Sequence, residues 1–309
     1  MSTYVIGDIH GALEEFQSLL YKIKFRFDGT DTLYLLGDYA DWGRKSIETL
    51  LYVKKLQEAC PHVYCLMGNH EWMFLSTVFS SGSGVSFNET ASNWLKNNRG
   101  LVTWNGFLEL PEQEQLSLVE WVRALPYKAE PEVGGKLYML AHAYPLFDDD
   151  EPDEDTLAHR RMDTIWRRLM IREDPFAPYT GPKKYERFVC GHTITMYYFD
   201  KLTYEKDWPW RKPDKSMRNR VFFAERFIDI DCGAKCFDMT FGQDGDTGVK
   251  LAFRAQLAAL RLEDEKVFYV HPPGVPGFSL EEIKAAMIRE GTWSESDGDY
   301  QSHYQVTGL

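Results

Sequence analysis

Five short apolar runs in this 309-residue chain each break off at a residue able to bind a hard or borderline metal ion. Thr3-Tyr4-Val5-Ile6 leads into Gly7-Asp8-Ile9-His10-Gly11, and Thr32-Leu33-Tyr34-Leu35-Leu36 into Gly37-Asp38-Tyr39-Ala40-Asp41-Trp42-Gly43. Val63-Tyr64-Cys65-Leu66-Met67 precedes Gly68-Asn69-His70-Glu71, Leu137-Tyr138-Met139-Leu140-Ala141 precedes His142, and Phe188-Val189-Cys190 precedes Gly191-His192-Thr193. Continuous apolar runs of this length suit strands buried on both faces. In an open α/β sheet, ligands collect beyond the carboxyl ends of the strands. Five such ends would gather Asp8, His10, Asp38, Asn69, His142 and His192 in one crevice.

The spacing supports a shared edge. Asp8, Asp38 and Asn69 fall 30 and 31 residues apart, the length of one strand–helix unit each. Between the first two runs, Leu13, Phe16, Leu19 and Leu20 recur at helical spacing, and residues 46–59 repeat the pattern with Ile47, Leu50, Leu51 and Leu56. The first 75 residues therefore read as βαβαβ, the crossover arrangement that parallel strands require. Residues 72–125 read as mainly helical, interrupted by a Ser/Gly stretch at 80–84 that suits a surface loop or a lid. After Arg220, β-prone runs recur at 221–223, 227–230, 249–253 and 267–270 and suggest antiparallel strands of a second sheet. Ser279-Leu280-Glu281-Glu282 is a capping box that opens a late helix. A single domain over residues 1–290 is expected, with 72–125 as a helical insertion and 291–309 as a C-terminal tail.

Composition narrows the partners. The formal net charge of −12 opposes broad binding to a nucleic-acid polymer and does little to attract an anionic membrane. A phosphorylated substrate would depend on concentrated local positive charge, which bound divalent metals supply most directly. The seven acidic residues within 148–155 suit a solvated loop, and the aromatic and basic mixture at 201–220 suits a surface hairpin. Five cysteines, an odd number set in or beside apolar runs, read as buried free thiols. The chain enters its first strand at once and has no apolar run of membrane-spanning length, so a cytoplasmic protein is expected.

Asp-x-His places two ligands on alternate positions of an extended segment, and a mixed carboxylate and imidazole set suits Mn²⁺, Fe or Zn²⁺ better than Ca²⁺. Asp38 has two carboxylate oxygens and can bridge two ions. Asn69 offers a neutral amide oxygen, and His142 and His192 complete a second site. Two cations about 3.5–4 Å apart clamp a phosphoryl group and activate a bridging hydroxide. Asp41 and His70 are not needed as ligands. A carboxylate that holds an imidazole makes His70 a candidate general acid for the leaving oxygen. Glu71 is expected to support the loop by hydrogen bonding.

These motifs, GDIHG, GDYADWG, GNHE, a lone His142 and GHT, resemble those of the phosphoprotein phosphatase family of calcineurin-like metallophosphoesterases. The likeness covers residues 3–75, 138–145 and 186–235. It implies an α/β fold with a central β-sandwich of two mixed sheets flanked by helices, four αββα layers in all. By the same likeness, one ion takes Asp8, His10 and Asp38, and the other takes Asp38, Asn69, His142 and His192. The spacing is similar to that of the compact bacterial and phage-type phosphatases, a subgroup that includes symmetrical diadenosine tetraphosphate hydrolases. The implied activity is a phosphomonoesterase of the serine/threonine protein phosphatase kind, with two Mn²⁺ ions, or Fe or Zn²⁺ in their place. The substrate would be a phosphorylated protein or peptide, or a small phosphoester.

Trp166-Arg167-Arg168 matches a family Trp-x-Arg and makes Arg168 a candidate phosphate ligand beside Asn69. The late Asp231-Cys232-Gly233 resembles the family's Asp-x-Gly turn and reads as structural. One position departs from the pattern. Where GDxxDRG carries an arginine, this chain has Trp42. Arginine grips two phosphate oxygens with a bidentate fork, whereas tryptophan offers one N–H and a flat apolar face. Arg44 could swing into that place, Trp42 could stack on a nucleobase or an aromatic leaving group, or the contact is lost. Weakened turnover would leave a metal-containing module that only binds phosphorylated ligands.

Overall fold

The computed structural model describes residues 1–82, 89–144, 161–168, 184–198, 219–237 and 255–271. The acidic loop, the segment 201–218, the run at 249–253, the late helix and the tail at 291–309 lie outside the described residues. The described part is built around two sheets. In the first, strands run in the order β11 (Lys266–Val270), β10 (Leu257–Arg261), β1 (Thr3–Ile6), β2 (Thr32–Leu35) and β3 (Val63–Cys65). In the second, the order is β4 (Lys128–Ala129), β6 (Lys136–Ala141), β7 (Arg187–Cys190), β9 (Phe227–Asp229) and β8 (Phe222–Phe223), with β5 (Glu132–Val133) paired on β6.

Both sheets are mixed. β1, β2 and β3 are parallel, with α1 (Leu13–Lys22) and α2 (Ser46–Ala59) as crossovers. β10 lies antiparallel to β1 and to β11. In the second sheet β6, β7 and β9 are parallel, while β4 and β8 are antiparallel to their neighbours.

Side-chain alternation assigns each strand to two cores. Val5, Tyr138, Leu140, Val189, Ile228, Ala258 and Leu260 point between the sheets and form the sandwich interior. Tyr4, Ile6, Leu33, Leu35, Leu257 and Ala259 point the other way, onto α1, α2 and the helical segment that follows β3. On the far side, Met139, Phe188, Cys190 and Phe227 face a third cluster with Tyr198 and Phe222. A buried hydrogen bond of 2.9 Å from Tyr138 Oη to the Leu262 carbonyl ties one sheet to the other. Helix α2 packs Leu50, Val53 and Leu56 inward, with Ile47 and Leu51 only partly buried, so its stripe is rotated slightly from the one its sequence suggests. α3 (Asn69–Gly82), α4 (Glu89–Asn97), α5 (Gly100–Glu109) and α6 (Glu112–Arg123) follow in series.

Two expectations need correction. The five ligand-bearing strand ends do not belong to one sheet: three belong to the first and two to the second. The late strands also do not form an antiparallel sheet of their own. β9 joins the second sheet parallel to β7, and β11 joins the first through β10. β10 escaped notice because Leu257-Ala258-Ala259-Leu260-Arg261 is made of strong helix formers. Burial on both faces, against the helices and against the second sheet, overrides that local preference.

The loops after β2 and β3 cross closely. A Cβ on Gly37, whose φ is +103°, would stand 2.5 Å from the Gly68 amide nitrogen, so only glycine fits there. All five cysteines are free and buried. Among the described residues, no helix is long and apolar enough to cross a membrane.

Truncating a side chain in the interior between the sheets tests this packing. Leu140 is fully buried, and Leu140→Ala is expected to cost about 2–5 kcal/mol. The control Leu108→Ala, at a side chain 54% exposed, should change stability by roughly 0.5 kcal/mol or less. Urea denaturation midpoints of the two variants check both values.

Candidate metal centre

The loops after β1, β2 and β7 turn sharply, and the turn is made by the functional residue itself. Among the described residues, five of the eight non-glycine positions with positive φ are His10 (49°), Asp38 (54°), Asp41 (69°), Trp42 (63°) and His192 (68°). Left-handed backbone is tolerated by Asp and His but is uncommon for bulky residues such as tryptophan. Its concentration here is local strain held by the surrounding packing so that the side chains meet at one place. Glu71, from the first turn of α3, locks the arrangement. Its Oε2 accepts from the Asp38 amide at 2.7 Å and the Gly68 amide at 3.1 Å, and its Oε1 from the Tyr39 amide at 2.9 Å. That is the loop-supporting role read from the sequence.

The gathered side chains form two adjoining groups that share Asp38: His10, Asp38 and His70, and Asp38, His142 and His192. His10 Nε2 lies 3.5 Å from Asp38 Oδ2 and 3.8 Å from Asp8 Oδ2. On the other side, His142 Nε2 lies 3.4 Å from Asp38 Oδ1, 3.0 Å from Asn69 Oδ1 and 3.1 Å from His192 Nδ1. Asp8 is further fixed by the His192 amide, which donates to both of its oxygens at 3.0 and 3.2 Å. The chain thus brings together Asp8, His10, Asp38, Asn69, His142 and His192.

Hydrogen bonds at the back of each ring set the tautomers. His10 Nδ1 faces the Ala40 carbonyl at 2.9 Å and His142 Nδ1 the Leu36 carbonyl at 3.1 Å. His192 is turned around, with Nε2 on the Trp166 carbonyl at 3.1 Å. A ring nitrogen that faces a carbonyl carries the proton, and the other nitrogen then presents a lone pair to the site. His142 Nε2, His192 Nδ1 and Asn69 Oδ1 are consequently three acceptors aimed at one another and at Asp38 Oδ1 with no donor among the three. Turning the Asn69 amide over would place its NH₂ against Asp38 and both imidazoles at 3.0–3.3 Å, the arrangement suited to a cluster without a cation. The oxygen orientation suits one that holds a divalent ion, and the donor set of carboxylate, amide and imidazole fits such an ion.

Burial sharpens the case. Desolvation, and then the neighbouring carboxylates, raise Asp8 and Asp38 well above the usual carboxylate range. Desolvation likewise pushes His10, His142 and His192 well below the ordinary imidazole value. Asp231, whose charge adds to the rise at Asp8, has its Oδ2 buried without a hydrogen-bond partner among the described residues. Negative groups packed this way repel one another, and a bound cation reverses the balance by favouring ionised carboxylates and neutral rings.

Asp41 and His70 stand beside the cluster, with His70 Nδ1 2.5 Å from Asp41 Oδ2. Burial lifts the Asp41 carboxyl to about 7, against donors from Thr103 and Trp94 that lower it, and burial takes His70 down to about 3. A single proton lies in that contact whichever partner formally carries it. His70 Nε2 is 3.8 Å from Asp38 Oδ2, so the structure draws into the first group an imidazole that the sequence reading had set apart. The support of Asp41 could not be read from the motifs. Trp94 Nε1 of α4 donates to its Oδ2, Thr103 Oγ1 of α5 donates to its Oδ1, and Ser46 Oγ accepts from its amide. Two helices of the expected insertion therefore end on the residue that holds His70.

The candidate phosphate ligands are placed less evenly. Arg168 Nη1 donates to the His192 carbonyl at 2.7 Å, which sets it at the rim of the second group. Arg44 is exposed, whereas Trp42 is half-buried. The positive charges that act on Asp8, His10, His70 and His192 come from Arg168 and from Lys235, a residue for which no motif gave a signal.

A sandwich of two mixed sheets with an acceptor cluster of this kind at the strand ends defines a metallophosphoesterase. The chain belongs to the calcineurin-like phosphoesterase family, whose model matches residues 1–197. Its relatives include the symmetrical bis(5′-nucleosyl)-tetraphosphatases of Citrobacter koseri, 34% identical, and Cronobacter sakazakii, 36% identical, each over 143 residues. Those matches span 46% of this chain and 43% of each relative. Among solved structures, a putative diadenosine tetraphosphatase shares the fold, with a TM-score of 0.51 and 18% identity over 89% of this chain and 95% of that one.

Removing the shared ligand tests the geometry. Asp38→Ala is expected to abolish binding of both ions, while His142→Ala should lose one and keep the other. Metal analysis after equilibration with Mn²⁺ reads the stoichiometry directly. Chelation of the wild-type protein should lower its melting temperature, since a ligand at a thousand times its Kd contributes about 4 kcal/mol.

Proposed function

We propose that this protein is a metal-dependent phosphoester hydrolase with two divalent cations. One would be held by Asp8, His10 and Asp38, the other by Asp38, Asn69, His142 and His192. The observation that carries this reading is the convergence of three unprotonated acceptors on Asp38, next to an independent imidazole–carboxylate pair. The mixed oxygen and nitrogen set favours Mn²⁺, with Fe or Zn²⁺ as alternatives. When bound, the metals supply Lewis acidity for the phosphoryl group and for the attacking water.

The protein's own groups do the rest. Asn69 and Arg168 orient the phosphoryl oxygens. His70, held by Asp41, passes a proton to the departing oxygen, and Asp41 keeps the ring turned so that Nε2 faces the site. A module that only bound phosphorylated ligands would gain nothing from a buried proton-transfer pair, which favours turnover. Phosphoserine and phosphothreonine peptides are one substrate class. The tetraphosphatase relatives make dinucleotide tetraphosphates the other.

A panel with Mn²⁺ decides between them: phosphopeptides, p-nitrophenyl phosphate, a diester and diadenosine tetraphosphate. Hydrolysis of at least one is expected, with loss on chelation and a fall in rate of roughly 10²–10⁴ for His70→Asn. No turnover of any phosphoester by protein shown to hold its metals would sink the hydrolase and leave the binding module. The supports of Asp41 give a second test. Trp94→Phe removes a donor that lowers the Asp41 carboxyl, so that group moves up from about 7. The acid limb of the kcat profile should then shift to higher pH, and an unmoved limb would show that Asp41 does not govern the proton transfer.

A further inference from the structure

Trp42 stands where it can reach the site but contributes no donor. It follows Asp41 directly, and its backbone is left-handed, with φ +63°. The indole Nε1 is buried and has no hydrogen-bond partner among the described residues. What remains to interact is the π face. Two cations lie over it, the Arg99 guanidinium carbon 5.4 Å and the Lys235 ammonium 5.6 Å from the ring centroid. Both distances are within the range of a cation–π attraction. Arg99 is exposed, whereas Lys235 is half-buried and its charge is felt at Asp8, His10, His70, His192 and Asp231.

The turn that presents Lys235 is firmly built. Gly233, at φ +88°, opens the short 3₁₀ turn Ala234–Cys236, and its amide donates to Asp231 Oδ1 at 2.8 Å. The Cys232 carbonyl just before it accepts from Asn219 Nδ2 and from the Gln256 amide, both at 3.0 Å. The Cys236 amide closes the turn on the Gly233 carbonyl at 2.9 Å. The ammonium group is therefore carried by rigid backbone at its base and by the indole along its side. Holding a lysine in this way removes part of the rotamer entropy that a free one loses on binding an anion.

We propose that Lys235, positioned by Trp42, is a phosphate-binding residue of this site and replaces by a point charge the guanidinium fork that position 42 lacks. The inference rests on the phosphoester reading above. The role falls to Lys235 because its turn is anchored on Asp231, which lies beside Asp8, and its ammonium rests against Trp42. A point charge differs from a fork in what it selects. It gains most from the number of negative charges on the phosphoryl group and little from the direction of its oxygens. Together with Arg168, it tunes the site to a dianionic terminal phosphoryl group over a monoanionic diester.

Binding of inorganic phosphate to the Mn²⁺-loaded protein, measured by calorimetry, tests this without relying on turnover. Lys235→Met should weaken phosphate by about tenfold or more, and metal content should be unchanged. Lys235→Arg should restore most of the affinity. Trp42→Leu should weaken phosphate as well, and adding Lys235→Met to it should cost little more, because the two act as one unit. Turnover gives the selectivity: Lys235→Met should reduce kcat/KM for p-nitrophenyl phosphate by about tenfold more than for bis(p-nitrophenyl) phosphate. Lys128→Met, at an exposed lysine paired with Glu130, serves as the control for loss of a surface charge. Wild-type phosphate affinity in Lys235→Met, or additive losses in the double variant, would overturn the proposal. If the wild-type protein binds phosphate yet hydrolyses nothing, the hydrolase reading fails and the effect of Lys235 on phosphate affinity still decides this one.

Discussion

Mutual repulsion at Asp38 is the constraint on which the rest of the site depends. One buried carboxylate stands within 4 Å of His10, His70 and His142, and the Asp8 carboxylate flanks His10. Every ring is turned by a carbonyl or by Asp41 so that it presents its other nitrogen to the site, and with the Asn69 oxygen facing inward His142, His192 and Asn69 bring no donor to Asp38. The fold supports a cluster that is unfavourable by itself, and the supports can be named. Glu71 straps two loops together through three amides, and two glycines let those loops touch. Interiors concentrate such strain where a ligand is expected to relieve it.

The two sheets divide the work. The first supplies Asp8, His10, Asp38 and Asn69 from loops that follow parallel strands, and the second supplies His142 and His192 in the same manner. The hydrogen bond between Tyr138 and Leu262, together with the shared interior of Val5, Leu140, Val189 and Leu260, fixes the offset between the halves. Leu140 is two residues from a proposed ligand. A cavity there would be felt at the metal centre as well as in stability.

Much of this was legible in the sequence. Apolar runs of four or five residues ending in Gly-Asp, Gly-Asn or Gly-His mark both the strand and the ligand, because the same turn that ends the strand aims the side chain. What could not be read depended on distant contacts. β10 is written in alanine and leucine and becomes a strand only because both of its faces are covered. Trp94 and Thr103 carry no motif, since any donor of suitable length at the right place in the helical segment would hold Asp41. Lys235 was hidden for a related reason: a lone lysine in a turn has many roles, and only its approach to Trp42 gives it one.

The tie between Asp41 and the helical segment also limits how this protein can move. α4 and α5 reach the site through Trp94 and Thr103, and Gly100 at their junction lies so close to the indole that an added Cβ would stand 2.3 Å from a Trp94 ring carbon. A segment anchored by buried hydrogen bonds and packed without slack cannot swing aside as a lid while His70 stays in register. Opening it would pull Asp41 away from His70. The helices α4 and α5 therefore form a fixed wall beside the Asp41–His70 pair.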